Sequence, residues 1–286
     1  MPCLELMLLR GALTSPLKRP GRSGAALPAT RVTGSAAPVP AELLARYRRI
    51  CHFPPNGPLP LTCPHVLAFP LAMRLMTARA FPLPVLGLVH TWIEITSHRP
   101  TGPAEPLRLT VYAQSLTPHR RGTEATVVTE ARVGDELVWE SRSGYLARHA
   151  VRTTAPAPPV RSAAPAQPDP PDPDLPAVAE WRLTGDLGRR YAAASGDRNP
   201  IHLHPLTARL FGFPRAIAHG MWSVARCLAE VEGADHIRTV RAEFRAPVLL
   251  PGTVTYAADG SGTRFQLRGG TDGARLHLTG TVTRDL

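Results

Sequence analysis

Cysteines are few in this sequence, aromatic residues are scarce, and long apolar runs are missing. The four cysteines among the 286 residues are Cys3, Cys51, Cys63 and Cys227. They form no C-x-x-C pair, and a chain of this length does not depend on a disulfide framework, so we expect a reducing, cytoplasmic location. The short apolar stretch at the N terminus is interrupted by Glu5 and Arg10. We therefore expect no membrane-spanning segment.

Acidic residues are outnumbered by basic ones, with 22 Asp and Glu against 33 Lys and Arg, so the formal net charge is +11. This balance favours an acidic partner, such as nucleic acid, an anionic membrane surface, a phosphate-bearing ligand or an acidic protein. The arginines are scattered, however, and aromatic residues make up only 6%. Because nucleic-acid binders concentrate basic and aromatic side chains on one face, we do not expect nucleic acid as the partner.

Proline is concentrated in one segment near the middle of the chain. Residues 153–176, TTAPAPPVRSAAPAQPDPPDPDLP, contain nine prolines and no aromatic residue. Such a segment cannot pack a core, so it predicts an extended linker between two domains. The predicted organisation is a loose lead at 1–38, a domain at 39–152, the linker at 153–176 and a second domain at 177–286.

Each half of the chain shows helical patterns followed by strand patterns. In the first half, the helical patterns cover 40–53 and 64–78, and the strand patterns cover 107–116, 122–133 and 137–147. In the second half, the helical patterns cover 186–196 and 218–233, and the strand patterns cover 237–246, 253–259, 263–269 and 275–283. These patterns predict an α+β fold in which each half wraps an antiparallel sheet round a helix and the two sheets pair.

The segment SGDRNPIHLHP at 195–205 is followed by AHGM at 218–221, and three interpretations are open for these residues. The first is a metal site, with the H-x-H pair at 202–204 completed by Asp197 and His219. The second is a surface turn, because Gly, Asp, Asn and Pro are typical turn residues. The third is an acid/base centre, because a carboxylate and an imidazole can hold one water between them.

The acid/base interpretation needs three parts, and the segment offers all of them. Asp197 and His202 lie five residues apart across a rigid N-P turn, which Asn199 is suited to hold. Together they can move protons during addition of water to an activated double bond. Gly220 begins an apolar helix, and its N–H can approach a ligand carbonyl closely. Such an oxyanion donor commonly contributes about 3 kcal/mol.

These residues resemble a known family. The stretch YAAASGDRNPIHLHPLTARLFGFPRAIAHGM at 191–221 resembles the signature of the MaoC-like, (R)-specific enoyl-thioester hydratases, which have the hot-dog fold. VRAEFRAPVLLPGTV at 240–254 resembles a strand and turn of the same family. The first half and the linker resemble the two-domain members. The resemblance implies a double hot-dog, with two antiparallel sheets each wrapped round a central helix and a Pro-rich linker between them.

The resemblance also implies roles for individual residues. It places the catalytic pair on Asp197 and His202 and the oxyanion donor on the amide of Gly220. Residues implied to bind substrate or to shape the site are Asn199, Pro200, His219, Met221 and Ser223. No metal and no cofactor is implied. The first half has no D-x-N-P-x-H, so the resemblance implies a degenerate hot-dog domain that shapes an acyl tunnel, with His65 and His90 as turn or core residues.

The function implied by the resemblance is a hydro-lyase of fatty-acid metabolism. It would hydrate trans-2-enoyl thioesters to (R)-3-hydroxyacyl thioesters, or dehydrate them in reverse, on coenzyme A or an acyl carrier protein. Arg215, Arg226 and Arg245 suit coenzyme A phosphates or an acidic carrier. The alternative is a non-catalytic subunit that binds acyl thioesters. Two assemblies stay open, a pseudo-dimeric monomer and a homodimer.

Overall fold

The computed structural model describes residues 18, 26–151, 175–231, 233, 236–270 and 273–284. The predicted linker at 153–176 lies outside these ranges except for its last two residues, and most of the predicted lead lies outside them as well. Within the described ranges, no helix has both the length and the apolar character needed to cross a bilayer.

The first half contains one short strand, three helices and four longer strands. Their bounds are Arg31–Thr33 for β1, Ala41–Cys51 for α1, Cys63–Leu67 for α2, Phe69–Thr77 for α3, Val89–Ser97 for β2, Leu107–His119 for β3, Gly122–Val133 for β4 and Glu136–Arg148 for β5. Strand β4 owes its conformation to the β-branched run TVVT at 126–129, all of it buried.

The second half has a strand, four helices and four further strands. Their bounds are Ala177–Leu183 for β6, Leu187–Ser195 for α4, Pro200–Leu203 for α5, Pro205–Leu210 for α6, Gly220–Leu228 for α7, Ile237–Phe244 for β7, Gly252–Ala258 for β8, Arg264–Gly269 for β9 and Arg275–Arg284 for β10. Eight of the nine side chains of α7 are buried, as expected of a helix that a sheet surrounds on several sides.

All ten strands belong to one antiparallel sheet in the order β1-β3-β4-β5-β2-β7-β10-β9-β8-β6. Five strands come from each half, and the halves join where β2 pairs with β7. At this junction Ile93 lies opposite Ala242 and Ile95 lies opposite Val240, and all four side chains are fully buried. The predicted α+β fold, in which the sheets of the two halves pair, is confirmed.

A second contact joins the halves through the buried helix. The indole Nε1 of Trp222 on α7 donates a hydrogen bond to the carbonyl of Ile50 on α1 at 3.0 Å. Tyr47 of α1 also lies beside Tyr191 of α4, with ring centroids 6.2 Å apart. The helix of the second half that begins at Gly220 is therefore held in part by side chains and backbone of the first half.

The structure corrects three boundaries predicted from the sequence and adds two strands that the sequence analysis did not predict. The end of the lead is not loose, because β1 pairs with β3 and turns Val32 into the core. The sequence analysis did not predict strands β2 and β6. The helix predicted at 64–78 is divided at Ala68, close to Pro70, which has no N–H to donate. The helix predicted to end at Gly233 stops at Leu228 and continues as tight turns, with Val231 N–H bonded to the carbonyl of Leu228.

Candidate active site

The turn between α4 and α5 fixes the position of Asp197. Helix α4 ends at Ser195, and Gly196 follows it in the left-handed conformation (φ 77°) that glycine favours. The Asp197 amide donates to Ser195 Oγ at 3.2 Å, and Asp197 Oδ1 accepts from the Asn199 amide at 3.1 Å. Asn199 is the N-cap of α5, and Pro200 is its first residue. Asn199 and Pro200 thus shape the turn. Because Oδ1 accepts from the Asn199 amide, Oδ2 is the carboxylate oxygen left to accept a hydrogen bond from a ligand.

His202 lies on α5 with its orientation fixed by the backbone of the following loop. Its Nδ1 donates to the Ile217 carbonyl at 2.8 Å, so Nε2 carries the lone pair in the neutral ring. The side chain is only 8% exposed. Helix α4 packs very closely against α5, because a Cβ on Gly188 would lie 1.9 Å from the His202 carbonyl oxygen. Only glycine permits this approach.

The structure brings Asp197, His202 and His219 together. Ligand atoms from these three side chains all lie within 4.8 Å of one another. The His219 ring stacks on the His202 ring with centroids 3.7 Å apart, and its Nε2 donates to the Asp197 carbonyl at 3.0 Å. Asp197 is 26% exposed, whereas His219 is 3% exposed. One side of the cluster is therefore open to a ligand and the other side is closed by His219.

Burial shifts the pKa values of this cluster toward the uncharged forms. Desolvation raises the pKa of Asp197, and His202 and the Asn199 amide oppose that rise. Desolvation lowers the pKa of His202, and the neighbouring Asp197 opposes that fall. The pKa of His219 lies well below its ordinary value because of burial and the adjacent His202. Above the pKa values of the pair, a carboxylate faces a neutral imidazole, and the two groups titrate together.

The N terminus of α7 supplies backbone donors beside this cluster. His219 is the N-cap, and the first bond inside the helix runs from the Ser223 amide to the His219 carbonyl at 3.2 Å. The preceding amides, including that of Gly220, have no acceptor within the helix. A Cβ on Gly220 would lie 2.8 Å from Cε1 of Phe244, so glycine permits close packing here. The positive end of the helix dipole favours a developing negative charge at this point.

The other predicted site residues divide into two groups. Met221 and Ser223 are buried on α7, and Ser223 Oγ contacts the His219 carbonyl of its own helix at 3.5 Å. His204 is exposed, and its Nδ1 accepts from the Leu206 amide as the N-cap of α6. The interpretation of His202 and His204 as a pair of metal ligands is therefore wrong, because His204 does not lie in the cluster with His202.

Asp197, His202 and His219 are a donor set that suits a divalent metal. Two of the four imidazole nitrogens, however, already donate to backbone carbonyls, those of Ile217 and Asp197. A metal at this point would therefore be restricted to His202 Nε2, the Asp197 carboxylate and the buried His219 Nδ1, which has no hydrogen-bond partner among the described residues.

Two of the three arginines expected to meet an acidic ligand are engaged elsewhere. Arg226 lies over the Trp181 ring and pairs with Glu230, and only 10% of its side chain is exposed. Arg245 pairs with Glu243 at 2.8 Å. Arg215 is exposed and donates to the Pro251 carbonyl at 3.1 Å, its one hydrogen bond to the part of the chain that the structure describes.

The first half brings two rings near the site: Tyr145, which the sequence analysis missed, and His90, which it expected in a turn or in the core. His90 lies between Tyr145 and Phe244, with ring centroids 4.7 Å from each, and Phe244 in turn packs on Gly220. Burial raises the pKa of Tyr145, and the carboxylate of Asp197 adds to the rise. His90 on β2 lies opposite Tyr145 on β5. Their contact therefore depends on the register of two separate strands, which the sequence does not show.

The buried His90 makes the fold sensitive to acid. Burial lowers the pKa of His90 to about 3, and Nε2 has no partner among the described residues. A pKa that is lower in the folded state than in the unfolded state removes stability as the pH falls below 6.5, by about 2 kcal/mol at pH 5. We expect His90→Phe to recover that amount at pH 5.

Chemical denaturation at pH 5 and pH 8 tests this expectation. At pH 8 both proteins carry an uncharged ring at position 90, so any difference there measures packing alone. An equal free-energy difference between His90→Phe and the wild type at the two pH values would show that His90 does not titrate on unfolding.

A cavity of about 240 Å³ lies between the halves at the other end of α7, lined in part by Phe53, Trp139, Leu228 and Val231. Neither Asp197 nor His202 lines it. We therefore do not include it in the candidate active site.

Comparison with known proteins shows the family of the chain. The family model described as "MaoC like domain" matches residues 169–273. The chain is 38% identical over 262 residues to 3-hydroxyacyl-thioester dehydratase X of Mycobacterium tuberculosis (strain ATCC 25618 / H37Rv), covering 90% of each protein.

Solved structures show the same fold. A crystal structure of HtdX from Mycobacterium tuberculosis superposes with a TM-score of 0.74 at 34% identity, covering 90% of this chain and all of that one. A second M. tuberculosis protein, described as having a double hotdog fold, superposes with a TM-score of 0.51 at 13% identity, covering 91% of this chain and 98% of that one. The double hot-dog prediction is confirmed, and the chain belongs to the MaoC-like dehydratases, a family of hydro-lyases.

Proposed function

We propose that the protein catalyses the reversible hydration of trans-2-enoyl thioesters to (R)-3-hydroxyacyl thioesters, with Asp197 and His202 as the catalytic pair. The observation that carries this proposal is the cluster in which Asp197 and His202 are held next to the N terminus of α7. The name of the M. tuberculosis relative supports a 3-hydroxyacyl thioester as the substrate class.

Each polar group at the site has a defined task in the proposed reaction. Asp197 Oδ2 and His202 Nε2 accept hydrogen bonds from one water, because Oδ1 and Nδ1 are already engaged. The water oxygen bonds to C3 of the enoyl group while the pair takes one of its protons. The π electrons move toward the thioester carbonyl, and the pair then returns the proton to C2. Water is added, and the pair ends in its initial protonation state.

The amide of Gly220 stabilises the charge that develops on the thioester oxygen. It lies at the start of α7 without an acceptor in the helix, and the Phe244 ring of β7 packs closely against Gly220. Donors in such a position act mainly on the enolate, because charge on the oxygen is greatest there. We therefore assign the oxyanion contact to Gly220 and not to Ser223, whose hydroxyl is directed at its own helix.

The first half, on this proposal, is a hot-dog domain without a catalytic pair. It has no D-x-N-P-x-H, and its contribution near the site consists of Tyr145 and His90. These rings and Phe244 form a continuous aromatic surface that reaches Gly220. We assign to this surface the exclusion of bulk water from the acyl group and the walls of the acyl tunnel.

The pH dependence of the reaction follows from the shifted pKa values. The active form carries no proton on either Asp197 or His202, so hydration is lost as the pH falls through the apparent pKa of the pair. Burial raises the pKa of Asp197 above the ordinary 3.8, so we expect the acid limb of kcat/KM at a higher pH than an exposed Asp would give. Above that pH both groups are unprotonated, so Asp197 and His202 cause no loss of hydration activity at alkaline pH. Initial rates between pH 4 and 9 test this, and a rate that rises toward acid would contradict it.

Hydration of crotonyl-CoA by the purified protein is the experiment that tests the proposed function. We expect loss of the enoyl-thioester absorbance and a product that chiral chromatography identifies as the (3R) isomer. Binding of the thioester without turnover would instead favour the non-catalytic subunit, and a (3S) product would refute the assigned geometry.

A further inference from the structure

Helix α6 buries Ala208 but exposes its two leucines. Leu206 is 62% exposed, Leu210 is 83% exposed, and Phe211, which follows the helix, is 41% exposed. Leu206 and Leu210 are four residues apart, so they lie on one face of the helix. Large apolar side chains that stand together on a surface often mark an interaction site. We call Leu206, Leu210 and Phe211 the α6 patch.

Uncompensated positive charge lies close to the α6 patch in the chain. Exposed arginines of the segment 189–215, which carries the patch and the catalytic turn, include Arg189, Arg198, Arg209 and Arg215. None of the four forms an ion pair with a carboxylate in the part of the chain that the structure describes. Arginines elsewhere are commonly paired, for example Arg99 with Glu105 at 2.8 Å and Arg245 with Glu243 at 2.8 Å.

Hydrogen bonds to the backbone hold three of these arginines in place. Arg189 donates to the Leu203 carbonyl at 3.1 Å, Arg209 to the Pro214 carbonyl at 3.3 Å, and Arg215 to the Pro251 carbonyl at 3.1 Å. A neutral carbonyl orients a guanidinium but does not cancel its charge. An apolar surface bordered by oriented, unneutralised cations is complementary to an acidic protein with an apolar contact of its own.

The α6 patch also adjoins the catalytic turn. Helix α6 begins at Pro205, three residues after His202, and Thr207 Oγ1 donates to the Pro200 carbonyl at 2.6 Å. A partner seated on α6 is therefore close to the turn that carries Asp197 and His202. Coenzyme A has no protein surface to cover the exposed Leu210 and Phe211, so these side chains favour a protein as the occupant of the patch.

We propose that the α6 patch and its arginines dock an acidic acyl carrier protein, which presents the acyl thioester to Asp197 and His202. The inference rests on the proposed function and adds the identity of the carrier. Docking of this kind is short-lived and depends on charge, so it acts mainly on KM for the carrier-bound thioester and weakens as the salt concentration rises.

The kinetic experiment compares two thioesters of the same acyl group, crotonyl-CoA and the crotonyl thioester of an acidic acyl carrier protein. For Leu210→Ser/Arg209→Glu we expect a fall of about tenfold or more in kcat/KM for the carrier thioester, mostly in KM. We expect the rate with crotonyl-CoA to stay within about twofold of wild type. The matched control is Val178→Ser/Arg275→Glu, which changes an exposed valine and an exposed arginine on β6 and β10 and should leave both substrates unaffected.

A binding experiment separates this inference from the proposed function. Fluorescence anisotropy with a labelled holo carrier protein measures docking on Asp197→Asn, whether or not the protein turns over thioesters. We expect salt-sensitive binding that is lost when Leu210→Ser/Arg209→Glu is added. Failure of the wild type to hydrate crotonyl-CoA would reject the proposed function, whereas unchanged carrier binding in the triple variant would reject the docking surface.

Another occupant of the α6 patch would also overturn the inference. If Leu210→Ser converts a dimer to a monomer in sedimentation and leaves the carrier kinetics unchanged, the patch joins two copies of this chain. Equal losses for crotonyl-CoA and the carrier thioester would show that the variant acts on the active site and not on docking.

Discussion

Asp197→Asn is expected to reduce hydration of crotonyl-CoA by roughly 1,000-fold, because it removes the acceptor that shares the proton of water with His202. The amide keeps an oxygen for the hydrogen bond from the Asn199 amide, so the turn should keep its shape. The folded state raises the pKa of Asp197 and so disfavours its charge. Removal of that charge should leave the melting temperature at pH 7 equal to wild type or higher.

The control lies in the same turn, at the second histidine of the H-x-H pair. His204→Asn keeps an N-cap for α6 and removes an imidazole that points away from the cluster. It should retain most of the activity, whereas His202→Ala should lose it to about the same extent as Asp197→Asn, since groups that act as a unit are not additive. Activity within about tenfold of wild type in Asp197→Asn would remove the carboxylate from the mechanism.

Gly188→Ala is expected to damage both stability and activity. Its Cβ would lie 1.9 Å from the His202 carbonyl oxygen and 2.9 Å from the carbonyl carbon. Backbone atoms of α5 cannot move aside as a flexible side chain would, so we expect a loss of about 3 kcal/mol in the free energy of unfolding. The displaced α5 carries His202 away from Asp197, and a shift of about 1 Å costs on the order of 100-fold in rate.

Urea denaturation and crotonyl-CoA hydration measure the two effects on the same preparation. Gly185→Ala is the matched control, because its nearest neighbour, Pro251, would lie at an ordinary contact distance of 3.6 Å. It should match the wild type closely in both measurements. A Gly188→Ala protein with wild-type stability and activity would mean that α4 and α5 are not packed as described.

The local structure around the site was largely predictable from the sequence. Gly196 as the left-handed end of α4, Asn199 and Pro200 at the start of α5, and Gly220 at the start of α7 follow from preferences of single residues. The proximity of Asp197 and His202 follows from the short turn that joins them. Such features depend on neighbours in the chain, and a sequence reports neighbours directly.

The contacts between distant segments were not predictable in the same way. Strand β2, VHTWIEITS, alternates between buried and partly exposed side chains only at Ile93, Glu94 and Ile95, which is too short a pattern to predict a strand. The sequence analysis grouped His219 with His202 and Asp197 as possible metal ligands, but the ring stack of His219 on His202 was not predictable, because residues 203–218 with helix α6 lie between them. The partners of Arg226 and Arg245 likewise depend on helix and strand packing that composition does not specify.

In the proposed reaction one pair of groups, Asp197 and His202, directs the water oxygen to C3 and the proton to C2 from the same side of the double bond. Hydration of crotonyl-CoA in D₂O, with the product analysed by NMR, tests it most directly. We expect deuterium at C2 and the hydroxyl at C3 to be added to the same face, which gives a single diastereomer with the (3R) configuration. Addition to opposite faces, or a mixture of diastereomers at early times, would contradict it.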